Sequence, residues 1–353
     1  MDPTNIKHYG LSGPVAQAAA EVNALPGRVV SQEKGMYRVL WEGGELLASV
    51  SGKFRYEAST ALEYPTTGDF VLLEPQSLDS GRGVIRGVLP RKSAFVRKAA
   101  GKTREEQVIA ANVDTVFVCM SLNQDFNLRR LERYLAAAWE SGAAPVVVLT
   151  KSDLCDDIEA KQAAVEAAAI GAEVLVTSAM QDEGIEKILP YLKEGLTSAF
   201  IGSSGVGKST FINRLLEEER LEVSGLRNDD KGRHTTTRRE LILLPTGGLV
   251  IDTPGMREIG MWDADSGLDL AFSDIEALAE GCRFRDCRHG SEPGCAVRAA
   301  IKRGELPEER FLSFQKLKAE NAYARDSESY LAAKEKKFKD IAKFSKSLQK
   351  SKE

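Results

Sequence analysis

Residues 202–209 read GSSGVGKS and are the feature that most limits how this chain of 353 residues can fold. The stretch follows the apolar run AFI and opens a predicted helix, TFINRLL. Its glycines allow the backbone to wrap phosphates with N–H groups pointing inward, at the favourable end of a helix dipole. We therefore expect Lys208 to contact β- and γ-phosphates and Ser209 to bind Mg²⁺. The predicted phosphate-binding residues are Gly202, Ser203, Ser204, Gly205, Val206, Gly207, Lys208, Ser209 and Thr210.

A second segment, TKSD at residues 150–153, ends the apolar run APVVVL and precedes the phosphate loop. Asp153 can accept hydrogen bonds from N1–H and N2–H of guanine, whereas adenine offers neither donor in that arrangement. The stem of Lys151 can lie along the base, although Ser152 or Asp153 is equally a candidate helix N-cap. The segment SAM at 178–180 also follows a predicted strand. The predicted base-binding residues are Thr150, Lys151, Ser152, Asp153, Ser178 and Ala179.

The segment DTPG at residues 252–255 follows the apolar run GGLVI. Its Asp252 is placed to hold Mg²⁺, and the N–H of Gly255 can reach the γ-phosphate. Residues 231–237 read KGRHTTT and lie where a switch loop belongs. Thr236 or Thr237 is expected to close on Mg²⁺. The predicted magnesium ligands are Ser209, Thr236 and Asp252.

Three cysteines and one histidine fall within a polar, glycine-rich stretch, GCRFRDCRHGSEPGC. Three thiolates and an imidazole form a full Cys₃His set for tetrahedral Zn²⁺, and four protein ligands indicate a structural site. The metal could supply the stability that so few apolar residues cannot. The alternative is three unrelated thiols. The predicted zinc ligands are Cys282, Cys287, His289 and Cys295, and the surrounding arginines suited to phosphate contacts are Arg283, Arg285, Arg288 and Arg298.

The rest of the chain predicts three domains. Short apolar runs punctuated by Gly and Pro indicate an all-β, OB-like RNA-binding barrel in residues 1–108. Strands alternating with helices, among them GIEKILPYLKEG, indicate an α/β domain with a parallel sheet at 109–270, where ligands bind at the carboxyl ends of strands. Residues 271–353 predict a mostly helical, zinc-binding domain. Within the barrel, Phe54, Tyr56, Phe70 and Phe95 are candidates to stack on bases, although core positions are the stronger interpretation.

Charge is unevenly distributed on a chain whose net charge is -4. Residues 82–104 carry Lys and Arg without Asp or Glu, and the stretch 334–353 is rich in Lys. Solvated faces would explain either patch alone, but the two together favour an RNA partner. The chain has no apolar run long enough to span a bilayer and no N-terminal signal sequence, so we expect a cytoplasmic protein without a membrane partner.

The order of these motifs resembles that of the RsgA family, circularly permuted GTPases that assist late maturation of the small ribosomal subunit. TKSD and SAM come first, then GSSGVGKS, GRHTTT, DTPG and the Cys₃His segment. The resemblance covers essentially the whole chain. It implies GTP hydrolysis stimulated by the small subunit and its rRNA, followed by dissociation, with Mg²⁺ bound beside GTP and one structural Zn²⁺. We expect a monomer.

Two positions shape the expected mechanism. The family's base motif is usually N-K-x-D, and Thr150 stands in place of Asn, which predicts a weaker contact to guanine N7 and weaker bracing of the phosphate loop. Met256 follows DTPG, where familiar GTPases have a water-orienting Gln, so hydrolysis without a partner should be slow. His234 in the switch loop is the candidate catalytic residue.

Two other functions fit parts of the sequence. One is a GTP-regulated, rRNA-binding checkpoint module with negligible turnover. The other is an ATP-using kinase or ATPase that merely has a phosphate loop, against which Asp153 argues because of its guanine preference.

Overall fold

The structure is a computed structural model and describes residues 5–33, 35–80, 82–98, 106–217, 239–252 and 265–322. The chain divides into two compact units, Met1–Gly260 and Met261–Glu353. Among the helices of the described ranges, none combines the length and apolar character needed to cross a membrane.

The strands are β1 (Leu25–Glu33), β2 (Met36–Trp41), β3 (Gly44–Val50), β4 (Phe70–Leu73), β5 (Arg82–Val88), β6 (Ala94–Lys98), β7 (Glu106–Ala111), β8 (Thr115–Ser121), β9 (Ala144–Thr150), β10 (Glu173–Val176), β11 (Thr197–Ile201), β12 (Glu240–Leu243) and β13 (Leu249–Asp252). The helices are α1 (Gly13–Glu21), α2 (Gly52–Glu57), α3 (Leu128–Glu140), α4 (Ile158–Ala168), α5 (Lys208–Leu216), α6 (Asp265–Ala271), α7 (Ser273–Ala279) and α8 (Ala296–Arg303). Residues 308–322 are also helical.

The first five strands close into a barrel. Their order is β1-β2-β3-β5-β4 with β4 returning to β1, and β3 pairs with β5 in parallel while the other pairs are antiparallel. Closure leaves no free edge among these strands, and α2 lies between β3 and β4 in the chain. Alternate side chains fill the interior, including Val29, Val39, Val71, Leu73 and Ile85, all of them fully buried. The predicted OB-like barrel is confirmed.

The larger sheet continues in the order β10-β9-β8-β11-β13-β12. Its first five strands are parallel, and every residue of β8 is buried, as expected for a strand covered on both faces. Helix α3 is capped at its N-terminus by Asn127, whose side chain accepts a hydrogen bond from the N–H of Arg130, and it buries Leu131 and Leu135. Because these strands are parallel, the segments that follow β9, β10, β11 and β13 leave the sheet at one edge.

The barrel and the parallel sheet join through β1, which pairs with β12 at Ser31 and Glu240. Earlier in the same strand, Arg28 is buried with its guanidinium 4.3 Å from the ring centre of Phe70. Its Nη2 donates a 3.0 Å hydrogen bond to Oγ1 of Thr197 at the start of β11. The three-domain division remains a proposal, since the first compact unit contains both the barrel and the parallel sheet.

One predicted helix is wrong. GIEKILPYLKEG forms two short 3-10 helices, Ile185–Lys187 and Leu189–Tyr191, instead of one continuous helix. Pro190 explains the break, because its ring clashes with the preceding turn and it lacks the N–H needed to extend the helix. Helix α4, which precedes this segment, ends at Ala168, shortly before Gly171, whose φ of 76° suits a glycine.

The second unit, in its described residues, contains α6, α7, α8 and the helix at 308–322 around an apolar core. Phe272 and Phe314 pack with ring centres 5.4 Å apart, and Ile275 and Val297 are fully buried beside them. Arg310 is buried and donates to both carboxylate oxygens of Asp274 at 2.8 Å. The predicted mostly helical C-terminal region is confirmed; its lysine-rich stretch, residues 334–353, lies outside the described residues.

Candidate functional site

The phosphate loop connects β11 to α5, as the sequence predicts, and three of its glycines have positive φ. Gly202, Gly205 and Gly207 have φ angles of 143°, 77° and 103°. At Gly202, a Cβ atom would lie 2.4 Å from the carbonyl oxygen of Cys119 on neighbouring β8. Only glycine satisfies both the backbone angle and this close approach.

Lys208, the first residue of α5, folds back over the loop. Its Nζ donates 2.6 Å hydrogen bonds to the carbonyl oxygens of Gly202 and Ser203. Beneath it, burial raises the pKa of the Cys119 thiol to about 12. This cysteine is therefore an inert core residue, and the ammonium of Lys208 is the charged group at the loop.

The TKSD segment lies directly against the phosphate loop although the two are far apart in the sequence. Thr150, at the end of β9 and 5% exposed, donates from Oγ1 to the carbonyl oxygen of Val206 at 2.7 Å. Lys151 donates from Nζ to the carbonyl oxygen of Gly205 at the same distance, 2.7 Å. The TKSD segment thus contacts the phosphate loop although Thr150 lacks the amide of an asparagine. Lys151 has a φ of 59°, which turns the chain sharply out of the strand.

Asp153 and Ser178 meet at the next position along this edge. The buried Ser178 hydroxyl donates to Oδ1 of Asp153 at 2.5 Å. The backbone groups of Ser178 and Glu183 exchange hydrogen bonds of 2.9 and 3.1 Å, and the N–H of Ser152 donates to Thr177 at 3.2 Å. These contacts fix the carboxylate that was predicted to select guanine. Neighbouring Ala179 packs on the apolar core beneath.

Sequence reasoning missed two further residues at this site. Tyr134 on α3 is 7% exposed, and its hydroxyl is hydrogen-bonded to the side chain of Ser203 in the phosphate loop; burial raises the pKa of this tyrosine. Arg214 on α5 forms a two-pronged ion pair with Asp182, which lies within the turn that Ser178 and Glu183 close. Helical periodicity marks Tyr134 only as part of an apolar face, so no sequence signal points to its role.

A cleft of about 900 Å³ lies between the Ser178 turn and α5. Its lining includes Ala179 and Thr210, one predicted to contact the base and the other to contact phosphate. The lining also includes Pro245 and Thr246, which precede β13, and none of residues 150–153 or 202–209, so the cleft runs along α5 beside the nucleotide segments. The base and phosphate segments themselves meet at one edge of the sheet, which is the arrangement required to bind one nucleotide.

The remaining predicted nucleotide residues are only partly covered by the structure. Ser209 lies in the first turn of α5, and Asp252 ends β13, opposite Glu240 in the β12 register. Of the other candidates, the catalytic residue His234, the magnesium ligand Thr236 with its alternative Thr237, and Gly255 with the following Met256 lie outside the described residues.

In the second unit, the four predicted zinc ligands converge. The ligand atoms of Cys282, Cys287, His289 and Cys295 all lie within 4.8 Å of one another. Sγ of Cys282 is 3.9 Å from Sγ of Cys295 and 3.6 Å from Nδ1 of His289, which is 3.5 Å from Sγ of Cys295. Around tetrahedral Zn²⁺, bonds of about 2.0–2.3 Å place ligand atoms about 3.5–3.8 Å apart. The cluster can hold a metal ion, and its dimensions fit zinc.

Backbone groups hold the cluster in place. Cys282 follows α7, and its Sγ accepts from the N–H of Ala296 at 3.3 Å. Cys295 is the N-cap of α8, and its Sγ accepts from the N–H of Arg298 at 3.4 Å. His289 has a φ of 57°, which turns its ring toward the sulfurs. Burial raises the pKa of Cys282, but N–H donors outweigh it and the net pKa is lowered, which favours a thiolate ligand.

The predicted RNA-contacting side chains separate into two groups. Arg283, Arg285 and Arg288 are exposed, and the Arg283 guanidinium lies 5.5 Å from the ring centre of Phe284, which is 42% exposed. Arg298 instead donates to the carbonyl oxygen of Gly290 at 3.1 Å, so it supports the loop.

In the barrel, Phe70 is buried and Phe54 packs edge-on against Tyr64. Phe95 is also buried, but it lies on β6, which pairs with β7 in a separate two-stranded sheet. Tyr56, at 92% exposure, is the candidate stacking residue that the barrel leaves accessible. Part of the basic run is also engaged within the chain: Arg86 donates to the carbonyl of Val22, Arg91 pairs with Asp69, and Lys92 pairs with Asp114.

Comparison with known proteins finds a matching family and close relatives of this chain. A family model described as RsgA GTPase matches residues 88–262. The chain is 48% identical over 321 residues to Small ribosomal subunit biogenesis GTPase RsgA 2 of Lactiplantibacillus plantarum, covering 90% of each chain. It is 49% identical over 317 residues to Small ribosomal subunit biogenesis GTPase RsgA of Opitutus terrae, covering 87% of this chain and 86% of the relative.

Solved structures show the same architecture. The crystal structure of YjeQ from Thermotoga maritima matches with a TM-score of 0.62 and 29% identity, covering 83% of this chain and 96% of that one. The crystal structure of YloQ, a circularly permuted GTPase, matches with a TM-score of 0.61 and 26% identity, covering 86% and 96% respectively. Circular permutation thus occurs in a GTPase of known structure.

Proposed function

The chain belongs to the RsgA family of GTPases, and we propose that it binds the small ribosomal subunit, hydrolyses GTP there to GDP and phosphate, and then dissociates. This activity assists late maturation of the subunit. The protein acts in the cytoplasm as a monomer. The observation that carries the proposal is the pair of hydrogen bonds from Thr150 and Lys151 to the phosphate-loop carbonyls of Val206 and Gly205. Base and phosphate segments that contact each other can hold two ends of one nucleotide.

In this proposal each segment has a separate task. Asp153 accepts hydrogen bonds from N1–H and N2–H of guanine, while the hydroxyl of Ser178 donates to its Oδ1 and holds the carboxylate in place. The loop at 202–210 binds the phosphates through backbone N–H groups and Lys208. Mg²⁺ neutralises charge on the β- and γ-phosphates when it is bound. Ser209, Asp252 and Thr236 would hold it, and the N–H of Gly255 would meet the γ-phosphate.

His234 is proposed to position the attacking water. The residue after DTPG is Met256, whose thioether is a poor partner for water, so another group must orient the nucleophile. An imidazole can accept or donate a hydrogen bond near neutral pH. The small subunit would bring this residue into place, which makes hydrolysis depend on the partner.

Zinc is proposed for the Cys₃His cluster because the ligand atoms have the spacing of a tetrahedral site and all four corners are protein atoms. A site closed in this way stabilises a fold and leaves no position for substrate. The exposed arginines 283, 285 and 288 and the exposed rings of Tyr56 and Phe284 are the proposed contacts to rRNA phosphates and bases. The proposed domains are 1–108, 109–270 and 271–353.

The deciding experiment measures GTP hydrolysis by wild type, His234→Ala and the matched control His8→Ala, with and without purified small subunits. His8 is hydrogen-bonded to Glu194, away from the phosphate loop. We expect subunits to accelerate wild type and the His8 variant at least about tenfold, while His234→Ala binds GTP but gains little acceleration. Binding to subunits without acceleration of wild type in single turnover would favour the checkpoint module. Displacement of GTP by equimolar ATP would favour a kinase or ATPase.

A further inference from the structure

Thr150 has a single proton with which to donate a hydrogen bond, and the structure shows where that proton goes. The side chain is 5% exposed, and its Oγ1 donates to the carbonyl oxygen of Val206 at 2.7 Å. A hydroxyl carries one O–H donor, whereas a carboxamide carries two N–H donors. An asparagine at this position could serve both the phosphate loop and an acceptor on the base. The threonine can serve only one of them.

The atom that such an asparagine would reach is guanine N7, which has a lone pair and no hydrogen. With its proton directed at Val206, the Thr150 hydroxyl presents only its own lone pairs to other groups. Two acceptors facing each other do not bond. Because Lys151 donates to the carbonyl oxygen of Gly205, its ammonium is also drawn toward the phosphate loop.

In the proposed function, the N1–H and N2–H edge of guanine, opposite N7, is contacted by a different residue, Asp153. Asp153 is fixed by the Ser178 hydroxyl at 2.5 Å, and the turn that carries Ser178 is closed by its paired hydrogen bonds with Glu183. A carboxylate held in this way can accept from N1–H and N2–H together. Asp153 is therefore ready to bind the N1–H and N2–H edge of guanine, whereas the donor of Thr150, near the N7 edge, is already used by the phosphate loop.

We propose that Thr150 is a positioning residue for the phosphate loop and makes no hydrogen bond to guanine N7. This inference rests on the proposed function, since it concerns the base of the same nucleotide. Its consequence is a defined specificity: the protein discriminates among purines by the N1–H and N2–H edge and tolerates a change at position 7 of the ring.

Equilibrium binding of GTP, 7-deaza-GTP and inosine triphosphate to the full chain tests this specificity. 7-Deaza-GTP replaces N7 with C–H, and inosine triphosphate lacks the 2-amino group. We expect wild type to bind 7-deaza-GTP within about twofold of GTP and inosine triphosphate about tenfold or more weakly, the loss expected for one hydrogen bond to a charged group. A tenfold preference of wild type for GTP over 7-deaza-GTP would overturn the inference.

Variants at position 150 separate this role from a general structural one. Thr150→Asn should acquire a preference for GTP over 7-deaza-GTP of about fivefold or more, because it adds an N–H donor. Thr150→Ser keeps one hydroxyl and should remain indifferent to the change at N7. Thr150→Val keeps the shape but removes the bond to Val206, so it should weaken binding of both nucleotides equally. If Thr150→Asn binds GTP but stays indifferent, the inference is wrong.

Failure of the proposed function would look different. A wild-type chain that binds none of the three nucleotides, or that binds ATP as tightly as GTP, would contradict the function itself. Indifference to N7 together with guanine preference supports both.

Discussion

The hydroxyl of Ser178 donates a 2.5 Å hydrogen bond to the carboxylate of Asp153, although the two residues are 25 positions apart. Ser178 follows β10 and Asp153 follows β9, and these strands are neighbours in parallel register. The bond fixes one carboxylate oxygen and turns the group toward the site. The side chain that we propose selects guanine is therefore oriented before any base arrives, which lowers the entropy lost on binding.

Ser178→Ala should weaken GTP binding about tenfold, because Asp153 would lose a charge-assisted hydrogen bond and its fixed orientation. The preference for GTP over ATP should fall with it. Equilibrium binding of both nucleotides measures the effect. Ser141→Ala is the matched control, since Ser141 is also a buried serine whose hydroxyl bonds to the carbonyl of Ala138. Equal GTP affinity of the two variants would contradict this role for Ser178.

Gly202→Ala should abolish nucleotide binding and destabilise the fold by about 2–4 kcal/mol. An added Cβ would lie 2.4 Å from the carbonyl oxygen of Cys119 at a φ of 143°, so the loop and β8 would have to separate. Thermal melting and GTP binding report the two effects. Gly13→Ala, where an added Cβ meets no atom within 4 Å, should change neither. Unchanged GTP binding by Gly202→Ala would contradict the geometry of the loop.

Purified protein should contain one zinc ion per chain, and Cys282→Ala should lose it, because a tetrahedral site lacking one thiolate binds zinc much more weakly. Metal analysis combined with thermal melting measures occupancy and stability. Cys155→Ala is the control, since this thiol lies outside the cluster. We expect a chelator to lower the melting temperature of wild type and to leave that of Cys282→Ala unchanged. Full zinc occupancy in Cys282→Ala would show that the metal is held elsewhere.

Arg91→Ala should destabilise the protein by about 3–5 kcal/mol at pH 7, because it leaves the fully buried carboxylate of Asp69 without its partner. Burial already raises the pKa of Asp69, although Arg91 lowers it, so losing Arg91 raises the pKa further. Between the pKa of Asp69 in the unfolded state and its higher pKa in the folded state, the folded state binds more protons than the unfolded state. The free energy of unfolding therefore falls as pH rises through this window. Urea unfolding should therefore show a larger defect at pH 7 than at pH 5.

Asp69→Asn in the Arg91→Ala background removes the unpaired charge and should recover part of the loss. Arg38→Ala, which removes a partly exposed pair with Glu45, should cost no more than about 1 kcal/mol. A pH-independent defect in Arg91→Ala would contradict the assignment to Asp69.

Arg285→Ala should weaken binding to small subunits and reduce the slope of log affinity against log salt by about 1, as expected for loss of one phosphate contact. GTP binding without subunits should not change, because Arg285 is exposed in the loop of the Cys₃His cluster in the second unit. Arg303→Ala is a control on α8, where the guanidinium pairs with Glu305 in the chain itself. An unchanged salt slope for Arg285→Ala would remove this loop from the proposed interface.

Motifs placed at the ends of apolar runs were enough to predict the shared edge of the sheet. Residues 150–153 follow β9, 178–180 follow β10 and 202–209 follow β11, and parallel strands end on the same side. The Cys₃His spacing likewise predicted a cluster, because four ligands within a short loop can meet with little help from the rest of the fold. These inferences depend on local patterns and on a general rule of topology.

Other features could not be predicted because they depend on which side chains the packing brings together. The contact of Tyr134 with Ser203 requires α3 to lie across the phosphate loop, and the burial of Arg28 against Phe70 requires the barrel to join the sheet through β1. Pro190 was visible in the sequence, yet the apolar periodicity around it suggested a continuous helix.

Sequence alone therefore determined the fold class, the order of the motifs and the residue types at each position, because these follow from local composition and spacing. Tertiary structure alone decided how each donor is used. Thr150 appeared to be a weakened base contact, and only its 2.7 Å approach to Val206 shows that its one proton serves the phosphate loop. A hydrogen bond depends on tenths of an ångström between groups distant in the chain, and the packing of strands and helices sets that distance.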